Sequence, residues 1–136
     1  MLTNLFELAV IAVSKRFKDQ VLMLEVPMRG VAPLLEAVKK LRSSSEHLTA
    51  LHPDFLQLCL LAKCYKTGLS ILEDDIFEVD QPRDFFLYCY YGWVSCCLTF
   101  CTRCYFHYAK LLCLICCCSV NNLLCLLSNW LFHYVI

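Results

Sequence analysis

Apolar side chains recur at Leu5, Leu8, Ala12, Phe17, Val21 and Leu24, close to the period of a helix, and assign that line of α-helix to the core. Asn4, with Glu7 three positions on, supplies an N-cap and an acidic first turn. The sequence Pro27-Met28-Arg29-Gly30 ends the element, because proline disfavours helical backbone at Val26 and Gly30 can take a positive φ. From about Val31 to Arg42 the pattern resumes, with Leu34, Leu35, Val38 and Leu41 on one side and Glu36, Lys39 and Lys40 on the other. Ser43-Ser44-Ser45 is the next break. Pro53 and Asp54 suit a helical first turn, and Phe55, Leu58, Cys59, Ala62 and Tyr65 form the buried stripe of a third helix. Gly68 closes or kinks it. A shorter piece, Leu69 to Leu72, leads into the acidic Glu73-Asp74-Asp75, and Pro82 marks another helix start. No strand-type alternation with hairpin turns interrupts this half. Short antiparallel helix pairs in succession predict an all-α helical-repeat fold of TPR-like type, each pair burying its apolar face by stacking on its neighbours. Two copies of the repeat do not align residue by residue.

Charge divides the chain. Twenty-two of its 24 charged side chains precede Phe85, while Phe85 to Ile136 holds only Arg103 and Lys110 and ten of the twelve cysteines. The first part has the composition of a soluble helical protein, and the last 52 residues form an apolar, cysteine-rich tail. No basic stripe interleaved with aromatic residues is present, which argues against a nucleic-acid partner. Met1 to Val13 lacks a positive n-region and runs into Lys15, Arg16 and Lys18 without a cleavage site, so the expectation is an intracellular chain with reduced thiols. On that reading Cys59 and Cys64 act as small hydrophobes.

The tail offers Cys101-x-x-Cys104 and Cys113-x-x-Cys116 with His107 between them, a spacing that could hold tetrahedral zinc. Zinc knuckles need turns, and this stretch has no glycine, proline or acid to make them. Cys116-Cys117-Cys118 has no neighbouring base to activate a thiol. Glu73-Asp74-Asp75 reads as a solvated loop and His52 as a helix-entry residue. The chain is therefore expected to be no enzyme, with no catalytic, cofactor-binding or metal residues, no cofactor and no small-molecule substrate. Phe85 to Thr102 is uncharged, and Leu111 to Ile136 is interrupted only by Asn121, Asn122, Asn129 and His133, so one or two spans of a bilayer about 30 Å thick would fit. A small membrane-anchored protein with a cytosolic helical head, anchored through residues 85–136, is the alternative reading.

Longer runs carry a resemblance. Lys15-Arg16-Phe17-Lys18-Asp19-Gln20-Val21, Arg29-Gly30-Val31-Ala32-Pro33-Leu34-Leu35 and the stretch from Leu48 through His52-Pro53-Asp54-Phe55 to Lys66 closely resemble subunit 3 of the COP-9 signalosome in its plant form. The likeness continues through Ile71 to Asp84 and Phe86 to Gly92, and covers about Ser14 to Gly92. It implies a non-catalytic scaffold, in cytoplasm and nucleus, of the complex that removes Nedd8 from cullins and thereby regulates cullin-RING ubiquitin ligases. The implied partners are the other signalosome subunits, with a membrane possible only through the tail. In that family a PCI domain follows the helical repeats, and the expectation is that this chain lacks it. After Gly92 this chain reads Trp93-Val94-Ser95-Cys96-Cys97-Leu98 and does not return to the family pattern. From Trp93 to Ile136, 34 of 44 residues are Phe, Leu, Cys, Tyr, Trp, Ser, Val or Ile, whose codons are rich in thymine. The expected organisation is thus a helical-repeat segment over 1–92 and a non-family tail over 93–136, as in a truncated isoform. Residues 1–92 alone should be helical but marginal, and the full chain insoluble without detergent.

Overall fold

The computed structural model describes residues 2–41, 47–73 and 78–99. Five helices follow one another, α1 (Leu2–Met23), α2 (Met28–Leu41), α3 (Leu51–Leu61), α4 (Tyr65–Leu72) and α5 (Pro82–Thr99). The all-α helical-repeat expectation holds. Two strands, β1 (His47–Leu48) and β2 (Glu78–Val79), add a short parallel bridge that pairs His47 with Glu78 and Leu48 with Val79. No sequence pattern announced it. It joins the residues just before α3 to residues shortly before α5.

α3 is the centre. It touches α1, α2, α4 and α5, and its Leu51, Phe55, Leu56, Leu58 and Cys59 are fully buried. Leu34 and Val38 of α2 and Tyr88, Cys89 and Cys96 of α5 close the same core from either side. α5 runs through the buried Gly92 without interruption, and Val94, Ser95 and Cys96 beyond it are buried too. Its hydroxyls are satisfied within the helix, Ser95 Oγ donating to the Tyr91 carbonyl and Thr99 Oγ1 to the Ser95 carbonyl, each at 2.8 Å.

Several local expectations are corrected. α1 begins at Leu2, so Asn4 lies inside the helix and is not its N-cap. The turn after α1 takes its positive φ at Glu25, 57°, and not at Gly30, which sits within α2. α3 likewise ends at Leu61, with the positive φ of 57° at Lys63 in the turn, so Tyr65 opens α4 and Gly68 lies inside it. The serine break and Asp74-Asp75 lie outside the described residues.

The two turns are the same structure. After α1 the Val26 amide donates to the Val21 carbonyl at 3.1 Å and the Glu25 amide to Leu22 at 3.0 Å. After α3 the Cys64 amide donates to Cys59 at 2.8 Å and the Lys63 amide to Leu60 at 3.1 Å. Both are Schellman caps, in which one left-handed residue lets two amides satisfy the last free carbonyls. Glu25 and Lys63 stand 38 residues apart, and so do the buried glycines Gly30 and Gly68. A Cβ on Gly30 would come within 3.2 Å of Val21 Cγ1, and one on Gly68 within 3.4 Å of Cys59 Cβ, so each glycine lets the second helix lie against the same position of the first. The repeat that does not align in sequence is present in the backbone as α1–α2 and α3–α4.

Left-handed backbone costs a side-chain-bearing residue about 1–2 kcal/mol. Glu25→Gly and Lys63→Gly are each expected to stabilise the fold by about 0.5–1 kcal/mol, after subtracting the greater freedom of glycine in the unfolded chain. Urea unfolding followed by circular dichroism should show the midpoint rise at constant slope for both. A fall at either site would contradict the shared cap.

Candidate interaction surface

His52 lies in the first turn of α3, as expected of a helix-entry residue, and is fully buried in the core. The Thr49 amide donates to its Nδ1 at 3.0 Å, and the Thr49 hydroxyl lies 2.9 Å from the same nitrogen. In the neutral ring the proton is therefore on Nε2. The ring meets Tyr88 of α5 edge to face, with centroids 6.1 Å apart. A cap at the start of α3 is thus fastened to the helix that packs across it.

A second polar contact positions α1. Lys18 Nζ lies 2.7 Å from Asp54 Oδ1 and 3.1 Å from Gln57 Oε1, and both charged side chains are largely withdrawn from water. A third, His47 Nε2 to Asp80 Oδ2 at 3.1 Å, spans the strand bridge at an exposed position. Beside it a cleft of about 220 Å³ is lined by Glu7, Ile11, Leu41, His47, Asp80 and Asp84 among others. Its acids stand with one imidazole and with Thr49, whose hydroxyl is engaged by His52 Nδ1 at 2.9 Å.

Among the described residues no cluster of histidine, cysteine and acid is placed to hold a metal. The cysteines and histidine of the zinc-like spacing, Cys101, Cys104, His107, Cys113 and Cys116, and the run Cys116-Cys117-Cys118 lie outside them. Glu73 is exposed at the end of α4. Cys59 and Cys89 are held as neutral thiols: burial pushes each up to about 12 from the ordinary 9.0, with Cys64 adding to the effect at Cys59. At pH 8 on the order of one in ten thousand of either would be thiolate. Iodoacetamide at that pH is expected to leave both unmodified in the folded chain and to alkylate both in urea, as read by mass spectrometry. The sign of the linkage follows: an unfolded thiol ionises near 9 while the folded one holds its proton to about 12, so their contribution to stability is full below pH 9 and is lost as pH rises toward 12.

No described helix is long and apolar enough to cross a membrane. Within the candidate anchor 85–136, the part up to Thr99 belongs to α5 and packs on α3 and α4. Phe85 to Gly92 is uncharged because much of it faces other helices.

The surface that remains distinctive is α1. Leu5, Leu8 and Leu24, which the periodicity assigned to the core, are exposed, as are Phe6, Val13 and Met23. Of the expected stripe only Val21 is buried; the inner side of α1 is instead Val10, Ile11, Ser14, Lys18, Val21 and Leu22. The sequence held one signal of this, a lysine and a serine on the helix face opposite the leucines, which have use there only if partners await them. What such an array of helices can do chemically is bury surface against another protein.

Residues 3–125 match the family described as COP9 signalosome complex subunit 3, N-terminal helical repeats. The chain is 64% identical over 86 residues to COP9 signalosome complex subunit 3 of Arabidopsis thaliana, which covers 63% of this chain and 20% of that protein. It is 36% identical over 87 residues to the protein of the same description from Dictyostelium discoideum, covering 58% of this chain and 21% of that one. The chain thus spans about a fifth of the length of the curated relatives it matches. No solved structure matches it.

Proposed function

Because the chain belongs to the family of COP9 signalosome complex subunit 3, N-terminal helical repeats, we propose that it serves as a non-catalytic scaffold segment of the COP9 signalosome, holding to other subunits through its helix faces. The observation that carries this reading is the family match across residues 3–125 on a chain whose helices stack about one central helix. The finer content of the proposal is that the complex removes Nedd8 from cullins, and that the chain works in cytoplasm and nucleus. It also includes a boundary after Gly92 between closely matching family sequence and a tail over 93–136, into which the family match runs as far as residue 125. Comparison of the transcript with the genomic exon boundaries tests that last part, because a tail encoded by a properly spliced exon of the family gene would remove it.

The scaffold role is tested by purifying the tagged full chain from cells of its source. The expected result is co-elution with other signalosome subunits at the size of the complex. Recovery alone, in a membrane pellet that resists carbonate extraction, would overturn the proposal in favour of the anchored protein.

A further inference from the structure

The two Schellman turns differ in one respect. In such a turn the residue whose carbonyl accepts the outer hydrogen bond and the residue whose amide donates it commonly bring their side chains together. After α1 these residues are Val21 and Val26, joined by the 3.1 Å bond; Val21 is buried and Val26 packs against the same core cluster. Thirty-eight residues further on, both positions are cysteine. Cys59 and Cys64 are joined by the 2.8 Å bond, and both thiols are free. A carbonyl and an amide paired in this way hold their Cα atoms roughly 5.5 Å apart, within the span of about 4.4–6.8 Å that a disulfide bridges. Solvent distinguishes the two sulfurs. Cys59 is fully buried, whereas Cys64 is partly exposed and its thiol meets Met28 Sδ at 3.2 Å on the surface.

We propose that Cys59 and Cys64 form a redox clasp, a disulfide that closes across the turn between α3 and α4 when a small disulfide such as oxidised glutathione accumulates. Cys64, as the thiolate, attacks the small disulfide; its S–S bond breaks, and one half leaves as a thiol with the proton Cys64 gave up. The Cys59 sulfur then attacks Cys64 Sγ. The mixed disulfide breaks, and the second small thiol departs with the Cys59 proton. Two electrons have passed from the protein thiols to one small disulfide, which ends as two thiols. The second step is the slow one, since burial makes Cys59 hold its proton in the folded chain. Closure ties the last turn of α3 to the entry of α4 and fixes Lys63 in its left-handed conformation. The turn after α1, with valines in both places, has no such bond to make. Where glutathione is mostly reduced the clasp stays open. The inference goes beyond the scaffold reading and holds whether or not the chain enters the signalosome.

The test equilibrates the purified full chain, in mild detergent, with a fixed ratio of oxidised to reduced glutathione, quenches with acid, alkylates the remaining thiols and digests with trypsin. Cleavage after Arg42, Lys63 and Lys66 puts Cys59 and Cys64 on different peptides. The expected product in the mass spectrum is residues 43–63 joined to residues 64–66, in a yield severalfold above that in urea, where closeness in sequence acts without the turn. Cys59→Ser should hold Cys64 as its mixed disulfide with glutathione, the trapped intermediate, and Cys64→Ser should leave Cys59 reduced. Closure in the unchanged chain should slow hydrogen exchange at the Lys63 and Cys64 amides by roughly tenfold or more. Equal yields with and without urea, Cys64 of the unchanged chain resting as the mixed disulfide, Cys64 joined to any other cysteine, or both thiols still reduced at every ratio would each overturn the proposal.

Discussion

Phe55→Ala is expected to lower the stability of the folded chain by about 3–5 kcal/mol, the range for deleting a buried phenylalanine and leaving a cavity behind. Phe55 is the largest fully buried side chain of the described fold, on the one helix that touches all four others. Its neighbours cannot easily close the gap. α3 is capped at one end by the His52 and Thr49 hydrogen bonds and at the other by the Schellman turn at Lys63, so it is poorly placed to slide. Natural domains are stable by only about 5–15 kcal/mol, and small ones lie toward the low end. Loss of this one ring should therefore remove much of the total, while Val13→Ala on the outer face of α1 should change it by less than about 0.5 kcal/mol. Urea unfolding monitored by circular dichroism measures both. A cost below about 1 kcal/mol for Phe55→Ala would mean that α3 is not the centre of the stack.

The contrast between these two positions shows what the hydrophobic pattern could and could not convey. Along α2 the pattern is one-sided, and Leu34, Val38 and Leu41 are buried as the periodicity requires; in the central α3 the expected Phe55, Leu58 and Cys59 are buried, and so are Leu56 and Leu60 outside that stripe. α1 carries apolar residues around most of its circumference, so a local period cannot say which line faces inward. The choice is made by Lys18, whose partners Asp54 and Gln57 lie 36 and 39 residues away and are invisible to any window of helical length. The repeat escaped for a different reason. Its signature is a backbone conformation carried by Glu25 in one copy and Lys63 in the other, residues of opposite charge that share only the left-handed φ. Near the turn only Leu22 with Leu60 and Gly30 with Gly68 coincide, too few to stand out, and a glycine read alone suggests a break where it in fact permits close helix packing. The same ambiguity hid the length of α5, which passes through Gly92 as a buried helix residue. Two-residue strands such as β1 and β2 are set by where the helices leave their ends, and carry no pattern of their own.

Lys18 should also give the second large effect, and in a way that separates charge from packing. Its ammonium and the Asp54 carboxylate are 2.7 Å apart with side chains only 13% and 18% exposed, and Asp54 Oδ2 is buried without a hydrogen-bond partner. Removing one member of a fully buried pair costs about 3–5 kcal/mol because a charge is left behind; partial access to water reduces the expectation for Lys18→Met to about 2–3 kcal/mol. Asp54→Leu should cost a similar amount, to which the lost carboxylate in the first turn of α3 adds about 0.5 kcal/mol through the helix dipole. The double replacement leaves no stranded charge and places two apolar side chains in contact. It is expected to cost no more than about 1 kcal/mol, a coupling of several kcal/mol between the sites. A double-mutant cycle in urea reads this directly, and strictly additive costs would show that the pair is screened and that α1 is held by Ile11, Val21 and Leu22 alone. If the coupling is found, hydrogen exchange along α1 should quicken in each single variant before it does in α3, because α1 has the thinnest apolar inner face and the pair is what fixes its rotation. That rotation is also what turns Val13, Phe17 and Leu24 outward, so the ion pair that orients the helix is the physical cause of the open face on its other side.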